Sequence, residues 1–284
     1  MVSTEYHLPT ELEEATRLLK KWKGRACVVA GGTNVIPDMR AGKIRPEHLL
    51  DISRIGELHG IKKTRARISV GALTSISQLI DSPLIEKEAG LLHRACHQLG
   101  NPLVRNRATI AGNLGNASPA ADTAVPLLAL NASVKIRGHD SQRTAPLTAF
   151  FVGPNQTVLK DDEIIVSVEF PRPTAQERTA YFKLGLRNAM AISVASVAVR
   201  LEVNGDRFSL VRIALGAVAP TPIRAGETEA FLEGQEASPA VINGAIKRVA
   251  QEVNPISDIR GSAEYRRYVS QVLVRRAIQQ ALGP

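Results

Sequence analysis

A chain of 284 residues is long enough for about two domains and for a core that needs neither disulfides nor a structural metal. Hydrophobic residues at 44% and charged residues at 22% exclude wholesale disorder and the collagen-like and mucin-like classes. The 36 Lys and Arg against 27 Asp and Glu give a formal charge of +9, which attracts polyanions, acidic surfaces and phosphate-bearing ligands alike and selects none of them.

Residues 1–22 carry Glu5, Glu11, Glu13 and Glu14 and lack the apolar stretch of a signal peptide, so no targeting segment is expected. Pro9-Thr10 followed by three acids opens a short helix with its carboxylates at the positive end. Its apolar face holds Leu12, Ala15, Leu18, Leu19 and Trp22. Residues 26–30 form a short apolar run that stops at Gly31-Gly32 and reads as a buried strand, and residues 66–71 read as another. Asp81-Ser82-Pro83 opens a helix expected to run to Leu99 and to close at Gly100-Asn101-Pro102. Residues 124–132 suggest a helix that turns into a strand at Val134-Lys135-Ile136. Residues 164–170 alternate and end at Pro171-Arg172-Pro173, a linker. The longest uncharged, mostly apolar run, residues 189–199, is about half of what a helix needs to span a bilayer, and a soluble, cytoplasmic protein is expected. Residues 192–203 predict a long strand, Asn204-Gly205-Asp206 a hairpin turn and residues 208–215 the return strand. Helical patterns follow at 226–232, 239–253 and 263–282, the last with Ser262 as N-cap. The fold class expected is α+β, with a larger domain to about residue 173 and a smaller domain of antiparallel sheet and helices.

Two segments carry chemistry. In Val28-Val29-Ala30-Gly31-Gly32-Thr33-Asn34-Val35 a buried strand delivers the chain to two glycines, where main-chain N–H groups can approach a ligand without Cβ interference. Successive amides of this kind form a nest for anionic oxygens, suited to a pyrophosphate. No G-K-[ST] follows and no G-x-G-x-x-G is present, so neither a triphosphate P-loop nor a Rossmann fingerprint applies. Taken alone, Gly-Gly-Thr after a strand is also the ordinary sequence of a tight turn. The second segment runs from Asn101 through Arg105, Arg107, Thr109-Ile110-Ala111-Gly112-Asn113 to Ser118-Pro119-Ala120-Ala121-Asp122. It is rich in small residues yet carries little charge, as befits a chain packed against a flat apolar ring or a buried Gly/Ala-packed loop.

Other chemistries fit less well. Two cysteines, Cys27 and Cys96, are too few for a secreted disulfide scaffold or for a cluster held by four thiolates, so any electrons must ride on an organic cofactor or on another chain. His93 and His97 share a helix face with Cys96 between them, but no acid nearby completes a zinc set, and no metal site is expected. There is no G-x-S-x-G for a hydrolase. Arg266-Arg267 and Arg275-Arg276 give a basic helix, but aromatic residues at 4% are poor material for base stacking, which disfavours a nucleic-acid binder.

Together, AGGTNVIPDMR, RPEHLLDI and LGNPLVRNRATIAGNLGNASPAAD, in that order, resemble the FAD-binding (medium) subunit of the molybdenum hydroxylases, the xanthine dehydrogenase and carbon monoxide dehydrogenase family. The resemblance continues through Tyr181-Phe182-Lys183 with Arg187 and the tail YRRYVSQVLVRRAIQQAL, so it covers nearly the whole chain. It implies a two-subdomain FAD-binding domain of the vanillyl-alcohol-oxidase (PCMH) type over residues 1–175, divided near 57/58, then a flavoprotein C-terminal domain over 176–284. Val29, Ala30, Gly31, Gly32, Thr33, Asn34 and Val35 match the family's first FAD loop, and Thr109, Ile110, Ala111, Gly112 and Asn113 the second. Asp122 matches an acid that bonds the cofactor's sugar-alcohol chain, Ile165 a strand position at the flavin, and Lys183 a lysine near the isoalloxazine. Leu99 aligns more weakly with a cofactor-contacting position.

The resemblance further implies an electron-transfer subunit without acid, base or nucleophile of its own. Molybdopterin would reside on a large partner and [2Fe-2S] clusters on a small one. Three departures matter. The family commonly has Gly where Ala111 stands; Asn188-Ala189-Met190-Ala191 replaces the acidic residues that xanthine dehydrogenases carry there; and the cysteine-rich insert of hydroxybenzoyl-coenzyme A reductase relatives is absent. A self-sufficient flavin oxidase is the alternative within flavin chemistry, but little length remains for a substrate domain.

Overall fold

The computed structural model describes residues 4–283; residues 1–3 and 284, which the expected domains and N-terminal segment include, lie outside them. The chain opens with β1 (Glu5–His7), α1 (Leu12–Trp22), β2 (Ala26–Val29), α2 (Val35–Arg40) and β3 (His48–Asp51). The three strands form a parallel sheet in the order β1-β3-β2. Helix α1 forms as its pattern predicts: Leu12, Ala15, Leu19 and Trp22 are buried, Glu13 and Glu14 lie in the first turn and Lys20 and Lys21 in the last. It stops where Lys23 enters the left-handed region, at φ 50.

A second unit follows: β4 (Ile61–Lys63), β5 (Arg67–Gly71), α3 (Ile76–Ile80), α4 (Pro83–Glu88), α5 (Gly90–His97), α6 (Pro102–Arg107), α7 (Ile110–Gly115), α8 (Ala124–Ala129), β6 (Ser133–Arg137), β7 (Gln142–Pro146), β8 (Phe151–Gly153), β9 (Gln156–Thr157) and β10 (Ile164–Pro171). Its antiparallel sheet has the order β4-β5-β10-β6-β7, with β8 and β9 as a separate short hairpin. Two expectations need correction here. The helix expected from Ser82 to Leu99 is two helices, because Ala89 leaves helical geometry (φ −141, ψ 42) ahead of Gly90. The apolar face continues across that break, so the pattern hides it. Asn101-Pro102 is likewise a start as well as a stop: Asn101 accepts the Val104 N–H at 2.8 Å and Pro102 occupies the first turn of α6.

The last unit contains β11 (Arg178–Gly185), β12 (Ser193–Asn204), β13 (Arg207–Gly216), β14 (Ile223–Arg224), α9 (Gly226–Leu232), α10 (Pro239–Glu252) and α11 (Ala263–Leu282). The strands form an antiparallel sheet in chain order, and Ser262 caps α11 through the Tyr265 N–H at 3.1 Å. Ile192, expected in the long strand, lies outside it and is exposed. The first nine residues of β12 are buried without alternation, because the sheet is covered on both faces, by α8 on one and α11 on the other. Tyr181, Ala198 and Ala214 thereby join the core of the preceding unit, while Val197, Val199 and Ile213 belong to a second core with α10 and α11. The α+β class is as expected. Among the described residues no helix is long and apolar enough to cross a membrane.

Candidate cofactor-binding site

The glycine loop leaves β2 at Val29 and re-enters regular structure at Val35, the first residue of α2. Gly32 adopts φ +72, which lets the chain turn sharply and present its amides outward. Among the described residues no hydrogen bond engages the N–H groups of Gly31, Gly32, Thr33 and Asn34. Within the second segment, residues 109–113 open a helix. Thr109 caps α7 by accepting the Gly112 N–H at 3.0 Å, and Ile110 and Ala111 donate to the carbonyls of Thr74 and Ala72.

The two segments meet. A Cβ built on Gly31 would collide with the Arg107 carbonyl, and one on Gly112 would stand 2.9 Å from Thr109 Oγ1 and 3.9 Å from Ala30 Cβ. The meeting leaves a cleft of about 450 Å³ lined by Ala30, Gly31, Gly32, Thr33, Asn34 and Val35 on one side and Thr109, Ala111, Gly112 and Ile165 on the other. Next to it, sharing Ala30 and Thr109, lies a second cavity of about 360 Å³ with polar walls, including Ser53, Ser75, Gln78, Asn106 and Arg107. The result is a trough with open amides, small walls and apolar patches, which fits an extended dinucleotide carrying a flat ring system.

Not every residue of the two motifs faces this trough. Val29 is buried at the strand end, and Ile110 and Leu99 are buried in the first core. Asn113 works within the chain: its Oδ1 accepts from the Thr123 N–H at 3.2 Å and from the Thr123 hydroxyl at 2.6 Å. Asp122 and Lys183 line neither cavity; they lie together in the seam between α5 and the C-terminal sheet. Lys183 Nζ donates to Asp122 at 2.8 Å and to the Gln98 carbonyl at 2.9 Å, and Ser193 adds a bond to Asp122 at 3.3 Å. Both side chains are nearly enclosed, Lys183 at 4% and Asp122 at 12% exposure. Burial pushes the Asp122 carboxyl above its ordinary value, and Lys183 opposes that shift. The phenol of Tyr181, buried nearby, is pushed up by its own desolvation and then by Asp122.

Several lining residues escaped the sequence reading. Asn155, Leu159, Glu163 and Ile164 close the cleft from the β8–β9 hairpin and the approach to β10. Asn155 has φ +58; its side chain donates to the Asn116 carbonyl at 2.8 Å and its amide to the Ala117 carbonyl at 2.9 Å, tying the hairpin to the end of α7. The turn composition of Gly153-Pro154-Asn155 was the available signal. Glu163 is held ionised by Arg143, whose hydrogen bond keeps its carboxyl below the usual range. Cys27, Val28, Asp38, Ile44, Ile52, Gly115 and Asn116 complete the walls. Away from the cleft, His93 lies 2.9 Å from the Ile80 carbonyl and Cys96 is fully buried in the first core.

The family described as "FAD binding domain in molybdopterin dehydrogenase" matches residues 2–173, and "CO dehydrogenase flavoprotein C-terminal domain" matches residues 180–281. The carbon monoxide dehydrogenase medium chain of Hydrogenophaga pseudoflava is 33% identical over 277 residues, spanning 98% of this chain and 96% of that one. The glyceraldehyde dehydrogenase medium chain of Sulfolobus acidocaldarius is 32% identical over 269 residues, 95% of each. In the solved structure of the Hydrogenophaga pseudoflava carbon monoxide dehydrogenase that lacks the Mo-pyranopterin moiety, the similar chain superposes with a TM-score of 0.96 at 34% identity, covering 98% of this chain and 97% of that one. Fold and cleft thus define a flavoprotein oxidoreductase component with an FAD-binding domain. Within that class, the chain belongs to the FAD-binding medium subunits of the molybdenum hydroxylase family.

Proposed function

We propose that this chain is the electron-transfer subunit of a cytoplasmic molybdenum-containing hydroxylase or dehydrogenase, accepting electrons from iron–sulfur clusters on a small partner and passing them to an external acceptor. Substrate is oxidised at a molybdopterin centre on a large partner. FAD, when bound, supplies the redox chemistry; the protein contributes position, electrostatics and access. The open amides of Gly31, Gly32, Thr33 and Asn34 would hold the doubly charged pyrophosphate without a dedicated cation. Thr109, Ala111 and Gly112 keep the opposite wall low and would leave room for the cofactor, and Ile165 makes that wall apolar. Asp122 would bond the sugar-alcohol chain, and Lys183, held by Asp122 and the Gln98 carbonyl, would contribute positive charge on the ring's side. No residue of this chain need serve as general acid, base or nucleophile.

The observation that carries this reading is the convergence of the two small-residue segments on one cleft beneath unpaired amides. Two experiments test it. The purified chain should bind added FAD in one equivalent and become yellow; a preparation that takes up none sinks the reading. Substrate-dependent reduction of an acceptor should require this chain, a cluster-bearing chain and a pterin-bearing chain together. Turnover by the single chain instead points to a self-sufficient oxidase.

A further inference from the structure

We propose that Glu5, His7 and His48 form a binding site for a divalent metal ion of the zinc class, apart from the flavin cleft and independent of the electron-transfer reading. The site is made by strand register. In the parallel pairing of β1 with β3, Glu5 stands opposite His48, and the two-residue period of a strand puts Glu5 and His7 on one face. Tyr6 points to the other face, where its hydroxyl reaches Asp51 at 2.8 Å.

The spacing of the three donor atoms is informative. His7 Nε2 and His48 Nδ1 are 3.2 Å apart, His48 Nδ1 and Glu5 Oε2 3.2 Å, and His7 Nε2 and Glu5 Oε2 3.6 Å. Zinc bonds of about 2.0–2.2 Å at tetrahedral angles put neighbouring ligand atoms roughly 3.3–3.5 Å apart. The triangle therefore has the size of one face of a zinc tetrahedron, with a fourth position left for water. Two imidazoles and one carboxylate are also the donor set that this metal favours.

A second feature fixes the imidazoles. Trp22, buried at the end of α1, stacks on His48 with ring centroids 4.3 Å apart and planes at 13°, and packs against His7 at 4.5 Å. Both rings are thus oriented before any ion arrives. An ion bound there cross-links the three-residue β1 to β3 and fastens the N-terminal strand to its sheet.

Trp22 is the only tryptophan of the chain, so its emission reports this site alone. The test is a titration of the tag-free, full-length protein with Co(II), then with Zn(II). Saturable quenching of Trp22 at one equivalent of Co(II), reversed by Zn(II), is expected, together with a higher thermal midpoint in Zn(II). Losing an outer-sphere partner already weakens metal binding about 10- to 100-fold, so His7→Ala and Glu5→Ala should weaken it at least as much. Glu5 is exposed, which makes Glu5→Ala the variant that keeps the fold, checked by circular dichroism. His93→Ala should leave metal affinity unchanged, since His93 lies on α5 against the Ile80 carbonyl. Absence of saturable quenching, or quenching of equal affinity in Glu5→Ala, overturns the proposal.

Discussion

Gly31 presses against the main chain of Arg107. A Cβ at Gly31 would overlap the Arg107 carbonyl oxygen and would stand 2.7 Å from its carbonyl carbon and 3.1 Å from Ala108 Cα. The opposing main chain is itself fixed, because the Ala108 N–H donates to Val104 at 2.7 Å and its carbonyl accepts from Ile76 at 2.9 Å. Backbone meets backbone, and neither side yields cheaply. Gly31→Ala should therefore cost roughly 1–3 kcal/mol of stability by overpacking and should widen the gap between the two halves of the cleft. Denaturant unfolding and FAD titration on one preparation measure both effects. Stability loss with unchanged flavin affinity would separate this contact from cofactor binding.

Gly32, the next residue, fails for a different reason. Its space is tight but passable, with Ile36 Cγ1 at 3.3 Å and Val29 Cγ1 at 3.7 Å from a built Cβ, whereas its φ of +72 is strained for any L side chain. Asn tolerates that region better than most residues and a β-branched residue tolerates it worst. Flavin retention and thermal midpoint should fall in the order Gly32, then Gly32→Asn, then Gly32→Val. Equal behaviour of the two variants would show that conformation does not set the loop.

Asp122 carries more than a cofactor contact. Because Lys183 is enclosed with it, Asp122→Ala strands a buried ammonium and should cost about 3–5 kcal/mol, with flavin loss as a partial consequence of lost stability. Removing both charges, Asp122→Leu with Lys183→Met, should restore most of the stability. FAD affinity measured on that double variant then reads the direct contribution of the pair, and wild-type affinity there would remove both residues from the flavin site.

What could be read from the sequence was local. A strand ending in two glycines, a capped final helix and an Asn-Gly hairpin each rest on a few adjacent residues, and Gly31, Gly32, Thr109 and Gly112 meet in the structure as their small size allows. The break at Ala89 was invisible because Leu91, Leu92 and Ala95 continue the apolar stripe of Ile85. Asn155 and Leu159 were missed because residues 151–163 follow neither helical nor strand periodicity, and Asn155 is placed by bonds to Asn116 and Ala117 just past α7. The pairing of Asp122 with Lys183 depends on how two units dock, and that of Glu5 with His48 on a parallel register. Neither is encoded in spacing along the chain.

Acid should weaken the fold partly through Glu88. Lys63 donates to this buried carboxylate and Arg172 donates to it at 2.7 and 3.3 Å, which together outweigh burial and hold its carboxyl below the ordinary range. A folded pKa below the unfolded one gives stability that is complete above the unfolded value of about 4.3 and is lost as pH falls through the folded value. Glu88→Gln should therefore be less stable than wild type near neutrality, with the difference shrinking below about pH 5. Urea midpoints across that range test this. A difference that stays constant on acidification rules out the pairing as its source.

Thiol labelling locates the flavin without relying on its spectrum. Cys27 lines the cleft, and burial raises its thiol pKa, so at neutral pH it should alkylate slowly and faster as the solution is made alkaline. Cys96 is fully buried, its thiol is pushed higher still by burial and then by Asp122, and it should stay inert until the chain unfolds. Of the 2 cysteines, the native protein should thus label at one and the denatured protein at both. If FAD lies against Ala30 and Gly31, it covers the neighbouring Cys27, and saturating FAD should slow native labelling while leaving the labelling of denatured protein unchanged. Equal rates with and without bound flavin would mean that the cofactor occupies some other part of the trough, on the Ser53 and Arg107 side.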